Sequence, residues 1–240
     1  MVKSPPRADA GISEDSMTYR KYFTLSYDDG PKHDRRFVGM LNERGLKCTF
    51  NLNSGSMPET SREEWRVSKE EAAELYRGHE IATHALTHPH LEQLSPEEAD
   101  REIKEDIGNL SAIAGYPVLG HAYPYGTWNE DVVRVLEKNG IRYARTTLST
   151  GGFSVPERPL TLNPTCHHRD PRVFSLIDEF LHAEPKDGDL LFYLWGHSFE
   201  FDKNEEFNSW EHIEKVLDAV AGKKDVEYVT NMQFFDRNTD

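Results

Sequence analysis

The sequence has little cysteine, little basic charge and no long apolar run. Its 240 residues include two cysteines, Cys48 and Cys166, too few for a disulfide-stapled scaffold or a cysteine-rich zinc module. Lysine and arginine number 28 against 42 acidic residues, and the net charge of −14 argues against nucleic acid or an anionic membrane surface as a partner. The longest apolar run, residues 190–195, has the length of a strand, so the sequence predicts no membrane span.

The first 20 residues contain prolines, small residues and mixed charge without a periodic pattern. We therefore expect a flexible N-terminal arm over residues 1–20 and a single folded domain over residues 21–240. The arm holds no apolar segment of the kind that signal peptides carry. The sequence accordingly predicts a cytoplasmic protein, or a secreted one from which a signal peptide has been trimmed.

Short apolar runs alternate with helical patterns along residues 21–240. Strand-like runs occupy residues 22–27, 47–52, 80–83, 119–123, 142–146, 190–195 and 226–230. Helix signals lie between them, including a capping box that begins at Ser95 and N-cap residues at Asn129 and Ser209. Because the connections are too long for hairpins, the strands must be parallel with right-handed crossovers. The predicted fold class is α/β: a single distorted (β/α) barrel of about seven parallel strands.

Chemically reactive residues follow several of these strands. In parallel α/β folds the strand ends gather at one rim. The first strand ends in two aspartates and the third runs into two histidines four residues apart, which a helical turn would point to one side. Two histidines and one carboxylate, with a fourth position open, make the arrangement of catalytic rather than structural zinc.

Each of these signals also has a plainer interpretation. Most histidine pairs at this spacing bind nothing, and Asp-Gly is common turn chemistry. Two histidines and a carboxylate also suit the iron of a non-haem oxygenase. What favours a reaction site is that three strands place carboxylates or imidazoles on the same rim.

Four segments together resemble the polysaccharide deacetylases, carbohydrate esterase family 4. Residues 26–30 (SYDDG) and 83–88 (THALTH) resemble the first two motifs of that family, residues 123–126 (YPYG) the third, and residues 194–197 (LWGH) the fifth. The resemblance implies a distorted barrel enzyme that hydrolyses an N- or O-linked acetyl group on a carbohydrate. An acetylated saccharide is then the expected partner.

The resemblance also implies roles for individual residues. One divalent metal ion, zinc by expectation and cobalt, nickel or manganese as alternatives, would be held by Asp29, His84 and His88. Asp28 would be the general base on the attacking water, and His197 would protonate the leaving group. The backbone N–H of Tyr125 would help to form the oxyanion hole.

Two positions depart from the family pattern. Ala122 stands where the third motif normally carries an arginine that pairs with the catalytic base. The fifth strand offers Arg145 and Thr146 where the fourth motif normally supplies an aspartate. We predict that Arg145 takes over as the partner of Asp28, the alternative being a structural salt bridge at the barrel edge.

The residue that orients His197 is left open, since Glu200 and Asp202 could each contact its imidazole or lie in solvent. Further candidates for substrate contact are Tyr123 and the tryptophans Trp128, Trp195 and Trp210, which could stack on sugar rings. His167 is expected to have a structural or substrate-lining role, although its neighbours Cys166 and His168 leave a second metal site or a thiol nucleophile open.

Two other functions remain compatible with the sequence. One is a metal-independent amidase relative on the same fold, and the other is a catalytically weak carbohydrate-binding module. Metal content separates the first from a metal-dependent deacetylase, and acetate release separates the second.

Overall fold

The structure is a computed structural model that describes residues 19–60 and 65–237. The arm expected over residues 1–20 lies almost entirely outside these residues. The strands are β1 (Lys21–Asp28), β2 (Cys48–Leu52), β3 (Glu80–Thr83), β4 (Gly120–Ala122), β5 (Tyr143–Arg145), β6 (Cys166–His167), β7 (Leu190–Gly196) and β8 (Val226–Tyr228). The α-helices are α1 (Asp34–Glu43), α2 (Lys69–Leu75), α3 (Pro96–Ala114), α4 (Glu130–Lys138), α5 (Val173–His182), α6 (Trp210–Val220) and α7 (Asn231–Arg237).

The strands form one sheet in the order β5-β4-β3-β2-β1-β7-β6, with every pairing between them parallel. The first half of β1 pairs with β8, while its second half pairs with β2. The chain after β5 joins the two edges of the sheet, because Thr146 N–H donates to Leu162 C=O and Thr165 N–H donates to Tyr193 C=O. The sheet therefore curls into a distorted barrel, which confirms the predicted fold class.

The seven predicted strands are all present, and β6 is an addition that the sequence did not reveal. Its two residues, Cys166 and His167, pair with Leu194 and Trp195 of β7. They lie in a stretch that is rich in glycine and proline and to which the sequence assigned no strand. Two residues are too few to show the alternation of apolar and polar side chains that marks a strand. Only the pairing with β7 therefore defines β6.

Strand β1 is buried on both of its faces. Phe23, Leu25 and Tyr27 belong to the apolar core that packs under the helices. The alternate positions are polar: Thr24 Oγ1 donates to Asn231, and Ser26 Oγ accepts from Asn51. The barrel interior is therefore lined by hydrogen-bonded polar groups rather than by a purely apolar core.

A group of buried, hydrogen-bonded polar side chains lies inside the barrel beneath the rim. The buried carboxylate of Glu80 accepts three hydrogen bonds, from Thr49 Oγ1, Tyr143 Oη and Met232 N–H. Asn231, the first residue of α7, donates from its side-chain amide to Tyr193 Oη at 2.7 Å. These bonds satisfy the polar groups that the interior encloses and fix α7 to the strands. Among the described residues, no helix is both long and apolar enough to cross a bilayer.

Candidate active site

The candidate active site lies at the rim where β1, β3, β5 and β7 end. Asp28 is the last residue of β1 and Arg145 the last residue of β5. His84 follows β3 directly, and His197 follows β7 directly. Residues that are far apart in the sequence thus meet because parallel strands end on the same side of a barrel.

Asp28 is a buried carboxylate with a complete set of partners. The guanidinium of Arg145 reaches both of its oxygens, with Oδ1 at 2.5 Å, and Asn51 Nδ2 donates to Oδ1 at 2.8 Å. Burial alone would raise the pKa of Asp28, but the charge of Arg145 and the nearby imidazoles of His84 and His197 lower that pKa to about 2. Asp28 is therefore ionised throughout the physiological range of pH.

Arg145 is fully buried, which is rare for an arginine and requires specific partners. Its guanidinium carbon lies 4.7 Å from the centre of the Trp195 ring, and its Nη1 donates to the Thr146 carbonyl at 3.1 Å. With Asp28 as its counter-ion, the side chain is fixed in one orientation. Ala122 stands where the family pattern has an arginine. In this chain Arg145, at the end of β5, reaches Asp28 from a different strand.

Asp29, His84 and His88 place one potential ligand atom each within 4.8 Å of one another. His84 Nδ1–H donates to the carbonyl of Ala122 at 2.7 Å, and this bond leaves the lone pair of Nε2 available to a metal ion. Burial lowers the pKa of His84 to about 4, so its imidazole is neutral at pH 7. Neutral imidazoles and a carboxylate form a donor set that fits a divalent ion such as zinc.

The prediction of a helical turn between His84 and His88 is wrong. The segment is a loop, because the side-chain amide of Asn53 donates to the carbonyls of His84 and Ala85, which a helix would have used for its own bonds. Four of the five described non-glycine residues with positive φ surround the site: Asp29, Ala85, His88 and Tyr125. The convergence of the ligands thus depends on strained loop backbone rather than on helical periodicity.

Arg66 is a site residue that the sequence analysis missed. Its guanidinium donates to the backbone carbonyl of Asp29 and lies 3.6 Å from Asp29 Oδ1. An arginine in a loop carries no sequence signal for this role, since only the pairing of residues 65–67 with residues 30–32 brings it there.

His197 lies beside the same oxygen of Asp28 as His84 does. Its Nε2 is 3.9 Å from Asp28 Oδ2, and its Nδ1 is 3.5 Å from Glu200 Oε2. The same Glu200 oxygen lies 3.1 Å from His167 Nε2. Burial alone would lower the pKa of His197, but the carboxylates of Glu200 and Asp28 raise it above its ordinary value. Asp202 points elsewhere and accepts from Trp210 Nε1 at 2.6 Å.

Among the residues expected to contact substrate, Tyr125 is the most open. Its ring is 55% exposed and stacks on His90 with a centroid separation of 3.8 Å. The half-buried ring of Trp195 lies against Arg145 and, at 4.5 Å, against the ring of His167. Trp128 is half-buried 5.7 Å from the Arg158 guanidinium.

Tyr123 and Cys166 do not have the exposure that their suggested roles need. The Tyr123 side chain is fully buried and donates to the carbonyl of Leu160 at 2.7 Å, so it packs behind β4 instead of lining the rim. Cys166 is also fully buried, and burial raises the pKa of its thiol to about 12. A thiol with that pKa is protonated at neutral pH and is not an activated nucleophile.

Comparison with known proteins identifies the family of the chain. The family model described as polysaccharide deacetylase matches residues 15–144, more than half of the chain. A chitooligosaccharide deacetylase of Rhizobium leguminosarum bv. trifolii is 28% identical over 157 residues, which are 65% of this chain and 67% of that protein.

Solved structures show the same fold at lower identity. A family 4 carbohydrate esterase from Streptomyces lividans in complex with acetate is 20% identical, with a TM-score of 0.53 over 85% of this chain and 90% of that chain. The Xyl-CE4 domain of a multidomain xylanase from the hindgut metagenome of Trinervitermes trinervoides is 18% identical, with a TM-score of 0.60 and 91% of each chain covered. The chain belongs to the polysaccharide deacetylase family and is a hydrolase that removes acetyl groups from a carbohydrate.

Proposed function

We propose that this deacetylase depends on one divalent metal ion, zinc by the chemistry of its ligands, held by Asp29, His84 and His88. The observation that carries the proposal is the position of Asp28, an ionised carboxylate locked by Arg145 directly beside a three-ligand cluster. When bound, such an ion polarises the acyl carbonyl and lowers the pKa of water. The remaining chemistry is supplied by side chains of the chain itself.

Asp28 acts as the general base. Its Oδ1 accepts from both Asn51 and Arg145, whereas its Oδ2 accepts from Arg145 alone and lies 3.9 Å from both His84 Nε2 and His197 Nε2. The proton of the attacking water is therefore taken up at Oδ2. Arg145 contacts this oxygen as well, and it keeps the carboxylate ionised and fixed in orientation for that transfer.

His197 acts as the general acid, and Glu200 is its positioning residue. The raised pKa favours an imidazolium, and the contact of Nδ1 with Glu200 directs Nε2 toward the side of the site where Asp28 lies. Nε2–H then donates its proton to the departing nitrogen or oxygen of the sugar. The backbone N–H of Tyr125, in a strained turn beside His88, supports the developing oxyanion.

Acetate release from acetylated xylo-, chito- and peptidoglycan oligosaccharides tests the proposal. We expect at least one substrate to be deacetylated, activity to disappear after removal of metal with a chelator, and zinc to restore it. Activity that persists in metal-free protein would instead indicate the metal-independent amidase chemistry. Binding of saccharide without acetate release from any substrate would indicate the carbohydrate-binding module.

A further inference from the structure

Two aromatic side chains, Trp65 and Phe199, contact each other beside the site. The Trp65 ring is 43% exposed and packs on the Phe199 ring at a centroid separation of 5.4 Å. Phe199 in turn lies 5.2 Å from the ring of His197. This pair, the Trp65–Phe199 platform, thus extends from solvent to the imidazole proposed as the acid.

The platform is held rigidly relative to the ligand cluster. Lys32 N–H donates to the Trp65 carbonyl at 2.7 Å, and Val67 N–H donates to the Gly30 carbonyl at 2.9 Å. These bonds pair residues 65–67 antiparallel with residues 30–32, which follow Asp29 directly. The backbone of Trp65 is therefore positioned by the same turn that positions Asp29.

The chemistry of the platform suits a sugar. A pyranose ring has apolar C–H faces surrounded by hydroxyl groups, so it needs an exposed aromatic face with polar groups nearby. Trp65 is 43% exposed, and the Arg66 guanidinium, which lies over its ring 5.1 Å from the centre, supplies a polar group there while it donates to Asp29 C=O.

The tryptophans that the sequence suggested for stacking are less exposed than Trp65, and each also has an arginine over its ring. Trp195 lies against the Arg145 guanidinium, and Trp210 is covered on one face by Arg36, whose guanidinium carbon lies 4.0 Å from its ring centre. Trp128 is half-buried beside Arg158. Of the four tryptophans, Trp65 combines high exposure with contact to the site.

We infer that the Trp65–Phe199 platform is a saccharide subsite, which holds the sugar ring next to the acetylated one. The inference rests on the proposed function, since it assumes that an acetylated ring occupies the space above Asp28 and the ligand cluster. Its consequence is a preference for oligosaccharides, because a monosaccharide leaves the platform empty. The second ring then contributes binding energy that lowers KM for the longer substrate.

Kinetics with a matched acetylated monosaccharide and tetrasaccharide test the subsite. In Trp65→Ala, we expect the ratio of kcat/KM for the tetrasaccharide to that for the monosaccharide to fall by ~10-fold, mainly through KM. Trp65→Phe keeps an aromatic face and should recover most of the ratio. Phe174→Ala is the control, since Phe174 is a 40% exposed aromatic residue on α5 that contacts His212 rather than the site. An unchanged ratio in Trp65→Ala, or an equal loss on both substrates, would overturn the inference.

Calorimetric titration with a fully deacetylated tetrasaccharide separates this inference from the proposed function. Binding that is weakened ~10-fold in Trp65→Ala and retained in Phe174→Ala supports the subsite, whether or not the wild-type protein releases acetate. Equal affinity of the wild type and Trp65→Ala would refute it even in an active enzyme. Failure of acetate release by itself counts only against the proposed function.

Discussion

Arg145 and Asp28 form the pair on which the proposed chemistry depends most. A buried carboxylate requires a fixed counter-charge, and the planar guanidinium reaches both of its oxygens while it lies on Trp195. Arg145→Lys keeps the charge but removes the planar guanidinium, whose Nη2 contacts both oxygens of Asp28 while Nη1 donates to Thr146 C=O and the plane lies on Trp195. We expect kcat/KM for acetate release to fall ~10-fold or more, which corresponds to ~1.4 kcal/mol.

The thermal midpoint of Arg145→Lys serves as the control for that measurement. Near-wild-type activity with unchanged stability would mean that Arg145 has only a structural role at the barrel edge. A loss of activity at unchanged stability would support its action on Asp28.

His197 allows a test that depends on the leaving group. If its imidazole protonates the departing atom, His197→Ala should impair hydrolysis of an N-acetyl sugar far more than hydrolysis of an activated aryl acetate, whose leaving group needs no proton. We expect a loss of ~10²-fold or more on the sugar and a much smaller loss on the ester. Comparable losses on both substrates would show that His197 is not the acid.

At the scale of single residues, the sequence predicted which residues are reactive better than it predicted which residues surround them. Asp28, Asp29 and the histidines stand out because reactive residue types follow strands. Glu200 could not be chosen over Asp202, since both follow His197 closely and only burial distinguishes them. Asn51 and Arg66 carried no signal at all, because their roles arise from strand pairing and loop pairing in the fold.

Strand β4 shows how closely the barrel interior is packed. A Cβ atom added to Gly120 would lie 2.1 Å from Tyr143 Oη, the hydroxyl that donates to Glu80. Gly120→Ala must therefore displace Tyr143 from its buried bond, and we expect it to destabilise the protein by ~1–3 kcal/mol. Urea denaturation monitored by circular dichroism measures the change.

Gly108 in α3 provides the matched control for Gly120. No atom lies within 4 Å of a Cβ added there, so Gly108→Ala should stabilise the protein by ~0.5–1 kcal/mol through helix propensity. If both substitutions changed stability alike, the close packing of Gly120 against Tyr143 would be refuted.

At the scale of elements, runs of apolar residues and capping signals predicted most of the fold. Ser95 and Glu98 form the expected capping box of α3, and Asn129 and Ser209 cap α4 and α6. The two-residue strand β6 escaped prediction because pairing with β7 alone defines it. The segment from His84 to His88 was predicted as a helical turn because two histidines four residues apart are typical of one. That spacing does not reveal that Asn53 donates to the carbonyls of His84 and Ala85, which makes the segment a loop.

The molecule as a whole combines a reactive rim with a satisfied polar interior. Bonds among Glu80, Asn231 and the strands occupy the space beneath the rim, so the strand ends that carry the site are supported from below. Strand order along the sequence was sufficient to predict this architecture, since parallel strands with helical crossovers have few ways to pack. The placement of α7 against the interior was beyond prediction, because it depends on partners distant in the sequence.

Two neighbouring aspartates have different roles in the proposed chemistry, Asp29 as a metal ligand and Asp28 as the general base. Metal content and acetate release, measured together on the wild type, Asp28→Asn and His84→Ala, test it most directly. We expect one divalent ion per chain in the wild type, loss of both metal and activity in His84→Ala, and retained metal with activity lowered ~10²-fold or more in Asp28→Asn. Full metal content in His84→Ala, or joint loss of metal and activity in Asp28→Asn, would contradict the account.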